Sequence, residues 1–239
     1  MRHSFIAKSI GFLFLFPLSI NFALSESIDN QVLGEQLEVI LNQKKQNLLK
    51  NLFLQKSLKQ FNKQYLDYTK NYKDSEWSIN TISNHQGETL LDVRITSTRE
   101  INKQIYNLTS KQTVKIETFK NKIKSYQIIN QESILNSENS PLIIQLISPD
   151  EVLTGERYEV NLIIERPLDN SLIAGGMIVL KSNENINISN DQFGIKPNGS
   201  GGLFKYIQAP FEPGSQTISA IITHPEGIYS ITKRIKVSL

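Results

Sequence analysis

The sequence predicts an α+β domain, with three helices laid on an antiparallel sheet, followed by a second domain that is all β and folds as a sandwich. Three observations predict it. Apolar residues recur at helical spacing up to Tyr72, the period changes to two from Trp77, and the polar segment NSENSP at 136–141 divides the chain. From Glu26 to Leu135, 16 basic residues stand against 12 acidic ones; from Asn136 onward the count is 8 against 11. The expected boundaries are residues 26–135 for the α+β domain, 136–140 for a linker and 141–239 for the sandwich.

Ahead of both domains, Arg2 and Lys8 precede an apolar run from Ile10 to Ile20, and Ala23 and Ser25 follow. A spanning helix needs roughly 20 apolar residues, so this short run reads as a cleavable export signal over residues 1–25. An uncleaved anchor is the competing reading. Export places the chain in an extracytoplasmic compartment, periplasmic or secreted, with nothing that spans a membrane once the signal is removed. Losing Arg2 and Lys8 also brings the formal charge of +3 close to neutrality, which gives no reason to expect a nucleic-acid partner. There is no cysteine, hence no disulfide, thiol nucleophile or cysteine zinc site.

No proline lies between Pro17 and Pro141, so helices can run unbroken there. Leu33, Leu37, Ile40 and Leu41 make a first amphipathic helix. Polar NQKKQN at 42–47 interrupts it, and Leu48, Leu49, Leu52 and Phe53 make a short second one. Ser57 with Gln60 fits a capping box that opens a third helix. That helix carries Phe61, Tyr65, Tyr68 and Tyr72 along one face. A rival reading joins Ile28 to Tyr72 in one long bent helix.

Beyond Trp77, WSINTISN and TLLDVRITST flank a turn at HQGE. Turns at Asn102–Lys103 and within FKNK at 119–122 set off two further strands. On the face shared by Tyr106, Leu108, Val114 and Ile116, the middle positions are Ser110 and Gln112. A buried amide without a partner costs about 1 to 3 kcal/mol, so Gln112 needs a partner or water. Arg99 and Glu132 are the candidates on neighbouring strands, and the group marks either a polar pocket floor or a solvated end of the sheet.

Three helices followed by long antiparallel strands, ending in EINKQIYNLTSKQTVKIETFKNKIKSYQIINQESIL, resembles the nuclear transport factor 2-like superfamily. The resemblance covers residues 28–135 and implies a cone-like domain, with a curved sheet and a concave cavity used for small ligands, isomerase or dehydratase chemistry, or docking. It supplies no catalytic set to carry over.

Residues 141–239 read as seven short strands separated by PNGSGG, APFEPG and HPEG, which fits an immunoglobulin-like sandwich. APFEPGSQTISAII resembles the crossing into the penultimate strand of bacterial immunoglobulin-like modules. The whole order is similar to exported bacterial proteins that join such a cone to such a sandwich.

Candidate chemistry is sparse. His85 and His224 sit in expected turns without metal spacing, so neither a metal nor a cofactor is expected. GSGG at 199–202 precedes a strand and no lysine closes it, so it is a turn, and AGGM at 174–177 marks a bulge or close backbone approach. Lys120, Lys122 and Lys124 make a basic hairpin end.

The leading expectation is a non-enzymatic binding or accessory protein. Its cavity would take a small apolar ligand between Tyr65, Tyr68 and Trp77, with Gln112 and Glu132 as polar anchors, or the domain would dock a protein partner. A homodimer is also compatible. Two alternatives stand beside it: a cofactor-free isomerase or lyase using Asp92 or Glu132 as general base, and a structural envelope component with a filled interior.

Overall fold

A computed structural model describes residues 21–83, 88–165, 172–181, 193–198 and 201–239. Most of the expected export signal and His85 lie outside the described residues.

Helix α1 (Asn21–Asn42) buries Leu33, Leu37, Ile40 and Leu41, the stripe its periodicity picks out. The chain then turns where Lys44 takes φ 56°, passes a single 3-10 turn at Gln46–Leu48 and forms α2 (Leu49–Leu52). Helix α3 (Gln55–Asn71) starts two residues before the expected capping box, with Leu54 as its N-cap. Ser57 is therefore not a cap. Its hydroxyl is buried and donates to the Ile123 carbonyl at 2.6 Å, tying the helix to a distant hairpin.

Strands β1 (Glu76–Ser83), β2 (Thr89–Ile101), β3 (Gln104–Phe119) and β4 (Lys122–Ser137) form an antiparallel meander. The two tight turns place both central residues at positive φ: Asn102 and Lys103 at 52° and 66°, Lys120 and Asn121 at 50° and 59°. Such turns match the right-handed twist of the strands they join. The remaining strands are β5 (Ile144–Ile147), β6 (Glu151–Leu153), β7 (Arg157–Ile164), β8 (Ile173–Lys181), β9 (Lys196–Asn198), β10 (Gly202–Gln208), β11 (Gly214–His224) and β12 (Gly227–Ser238). No long helix occurs among the described residues after Ser137.

The expected fold class is corrected by the path of β12. This strand pairs with β11 on one side and, through Tyr229–Arg234, with Asn136–Gln131 of β4 on the other. A nine-stranded sheet results, in the order β1-β2-β3-β4-β12-β11-β8-β9, with β6 parallel to the end of β12. Among the described residues only β10-β7-β5 forms a separate sheet, of three strands. The protein is thus mostly β and built on one large sheet, not three helices on a curved sheet followed by an immunoglobulin-like sandwich. Alternation tells which side chains of a strand share a face; it does not tell which strand comes to lie alongside.

Two apolar cores sit on opposite faces of this sheet. Directly opposed residues of an antiparallel pair point the same way, so Val93, Gln112, Gln131 and Arg234 share one face across four strands. At the β1–β4 end that face packs against the helices, with Phe61 and Ile116 in one core. The other face carries Ile134, Ile231 and Ala220, which pack against Val160 and Leu162 of the small sheet.

The joint between the halves is close. Ser137 is fully buried, and its Oγ accepts from Ile228 N–H and Gln104 Nε2, both at 3.0 Å. Gly227 faces it, and a Cβ there would stand 2.6 Å from the Ser137 Cβ. The Gly227→Ala variant should lose about 1 to 3 kcal/mol of stability in urea titration. Trp77, the single tryptophan, reports on the helix-covered half. Its fluorescence midpoint should coincide with that of the far-ultraviolet circular dichroism, because one sheet runs through both halves.

Candidate ligand cavity

Helices α1 and α3 roof the β1–β4 end of the sheet and enclose a cavity of about 210 Å³. Helix α1 is held there by completing the free edge of β1. The Asn42 carboxamide donates to Trp77 O and accepts from Trp77 N–H, both at 2.8 Å, and Glu38 Oε2 accepts from Ile79 N–H at 2.6 Å. Edge strands otherwise leave such groups unpaired and prone to association. Gly34 allows this approach, since a Cβ there would lie 2.5 Å from Thr81 Oγ1. Helix α3 is fixed at its start, where Leu54 N–H donates to Ile123 O at 3.0 Å beside the Ser57 bond.

The wall is aromatic. Phe61 stacks on Tyr65 at 5.9 Å between centroids, and Trp77 meets Tyr65 at 6.2 Å and Tyr68 edge-on at 5.7 Å. Each ring contact adds to simple burial. Val93, Val114 and Ile116 supply the floor from the sheet.

At one end the lining turns polar. Gln112 and Gln131 are register partners on β3 and β4. Gln112 Nε2 donates to Ser110 Oγ at 3.3 Å, Gln131 Nε2 donates to Ser133 Oγ at 3.2 Å, and the two hydroxyls bond each other at 2.8 Å. Among the described residues nothing donates to either carboxamide oxygen. Elsewhere in the lining the Tyr126 hydroxyl donates to Gln64 Oε1 at 2.6 Å. The buried Tyr68 hydroxyl has no partner among the described residues; Ser75 beside it gives its own proton to Tyr72 O.

Four of the five expected site residues, Tyr65, Tyr68, Trp77 and Gln112, line this cavity. Glu132 does not. It follows Gln131 on β4, opposes Lys233 of β12, and faces the other side of the sheet. There it lines a polar groove with Asp92, Lys111, Asp150 and Lys233. Gln112 is partnered by Ser110, not by Arg99 or Glu132. Among the described residues no charged side chain lines the aromatic cavity, and Asp92 and Glu132, the carboxylates an isomerase-type mechanism would need, are both separated from it by the sheet.

Sequence reasoning missed Gln131, Tyr126 and Gln64. Two register shifts in the β3–β4 pairing explain the first two: Ile129 and Lys124 are extra residues on β4, and each reverses the alternation. Tyr126, Ile128 and Gln131 thereby all face the cavity. The broken alternation of IKSYQIINQ is the one trace of this in the sequence.

Residues 139–238 match a family described as a domain of unknown function, DUF8623. The match begins beyond the residues that form the cavity. No curated protein matches the chain. Among the described residues no cluster of His, Cys, Asp or Glu is arranged to hold a metal, and no helix is long and apolar enough to cross a membrane.

Burial raises the Tyr65 and Tyr68 hydroxyls above the usual phenol range, with Ser75 opposing it in part at Tyr68, and pushes Tyr126 up to about 12. Burial likewise takes Tyr158 and Tyr229 of the second core to about 12, with Glu132 adding to the rise at Tyr229. The fold favours the neutral phenol, so the unfolded chain, titrating near 10, loses its protons first as pH rises. Stability should be full below about pH 10 and fall between about 10 and 12. Urea midpoints measured across that range should decline, and Tyr126→Phe should decline less steeply.

Proposed function

We propose that this chain is an exported binding protein whose cavity holds a small, uncharged, largely apolar molecule carrying one hydrogen-bond donor. The observation that carries the reading is the lining: aromatic and aliphatic walls, no charge, and two carboxamide oxygens at one end that nothing in the described protein satisfies. Shape and burial supply affinity in such a site, and a few polar groups supply orientation. A charged ligand would lose hydration here without a countercharge.

Size narrows the class further. A cavity of about 150 Å³ accepts benzene, whereas drug-sized sites begin near about 300 Å³. At 210 Å³ the cavity suits one or two fused rings, or a short branched chain. A structural role with a filled interior is disfavoured by that same volume. The isomerase or lyase alternative has no carboxylate in the lining to act as base. Residues 1–25 are what support export, to the periplasm or beyond.

Native mass spectrometry of protein purified from its own host should show a retained molecule of low mass, and a bare chain that binds no probe would count against the reading. Indole and indene separate the parts of the site, because they share a shape and only indole donates an N–H. Indole should bind more tightly by about 3- to 10-fold, the range of one net hydrogen bond. Gln112→Leu with Gln131→Leu should abolish that preference, and Val93→Phe, which fills the space, should abolish binding of both. Isothermal titration calorimetry reads all three results.

A further inference from the structure

The chain from Val39 to Leu66 contains six lysines and no acidic residue. Folding brings that run beside the β3–β4 hairpin, whose tip adds Lys120 and Lys122. Three contacts fix the juxtaposition: Lys122 Nζ donates to Lys50 O at 3.2 Å, Leu54 N–H donates to Ile123 O, and Ser57 donates to the same carbonyl. On α3, Lys56, Lys59, Lys63 and Lys70 recur at offsets of 3, 7 and 14, on the side opposite the apolar stripe of Leu58, Phe61, Tyr65 and Tyr68, and all four are exposed. Among the described residues no carboxylate pairs with Lys50, Lys56, Lys59, Lys63, Lys120 or Lys122. Of the three lysines at the hairpin tip, Lys124 alone has one among the described residues, Glu117 at 3.7 Å.

Apolar side chains stand among these charges. Phe119, at the hairpin tip, is 53% exposed with the Lys120 ammonium 5.4 Å from its ring centre, and Leu66 on the outer side of α3 is also 53% exposed. We propose that the hairpin tip and the lysine face of α2–α3 dock on an anionic phospholipid bilayer. Lysines at such a surface are drawn to acidic headgroups, and an exposed aromatic enters the interfacial region, so one signal reinforces the other. The absence of arginine from the patch separates this partner from a nucleic acid, where guanidinium groups read phosphates and base edges in pairs. Among the described residues no helix is long and apolar enough to cross a membrane. This inference is independent of what the cavity holds.

The test is co-sedimentation of the chain from Glu26 to Leu239, which keeps every residue of both cores and lacks the apolar leader, with phosphatidylglycerol–phosphatidylcholine vesicles. Binding is expected to those vesicles, to be absent from pure phosphatidylcholine, and to weaken as salt is added. K56E/K59E/K120E, all at exposed positions, should keep the wild-type melting temperature and lower the partition coefficient by about a hundredfold, from roughly fivefold per lysine. Phe119→Ser should lower vesicle binding while leaving retention on heparin unchanged. Equal binding to both vesicle types, unchanged binding of the triple variant, or binding to single-stranded nucleic acid with none to vesicles would overturn the proposal.

Discussion

The pairing of β4 with β12 is the constraint on which the rest of the molecule depends. Six residues of each strand lie in register, and the strands come from the middle and the end of the sequence. Through them a meander that could have ended at β4 continues into the second half. Each core then borrows its rigidity from the other, because both pack on the same sheet from opposite faces. Ser137 and Gly227 show how close the fit is: a hydroxyl with two donors, against a position where any side chain would collide.

A sheet extended this way has a free edge at β1, and the cavity arises from how that edge is managed. Asn42 and Glu38 reach from α1 to the outward backbone groups of β1, which places the helix beside the edge and over the sheet. Helix α3 is pinned at the other side by the Ile123 carbonyl. Two supports set apart leave a gap between them that aromatic side chains line but do not fill. The wall is therefore rigid for the same reason that the edge is protected.

The polar end of the cavity depends on irregularity. Without the bulge at Ile129, strict alternation along β4 could not put Gln131 on the face of Tyr126 and Ile128. The same geometry sends Glu132 to the opposite side, beside Lys233, and leaves the lining uncharged. One residue of register decides between a cavity with a carboxylate and one without, and so between the chemistries open to it. The family match covers the second half, while the cavity belongs wholly to the first; the matched residues pair through β12 with a strand, β4, that lies outside the match.

Local physical chemistry was legible from residues alone: the buried stripe of α1, the break after Asn42, the aromatic face of α3 and the two tight turns all follow from spacing and from residue types within a few positions. So were Tyr65, Tyr68, Trp77 and Gln112 as neighbours of one interior, since each lies on a face that periodicity defines. What the tertiary structure alone decided was anything that joins distant segments. The Ser57 hydroxyl, at a position that suits a cap, is spent on Ile123; Gln131 replaces Glu132; and β12 leaves its expected domain to extend β4. Hydrogen bonds between strands are made by backbone groups that every residue shares, so pairing leaves no mark on composition, and only the packed structure selects the partner.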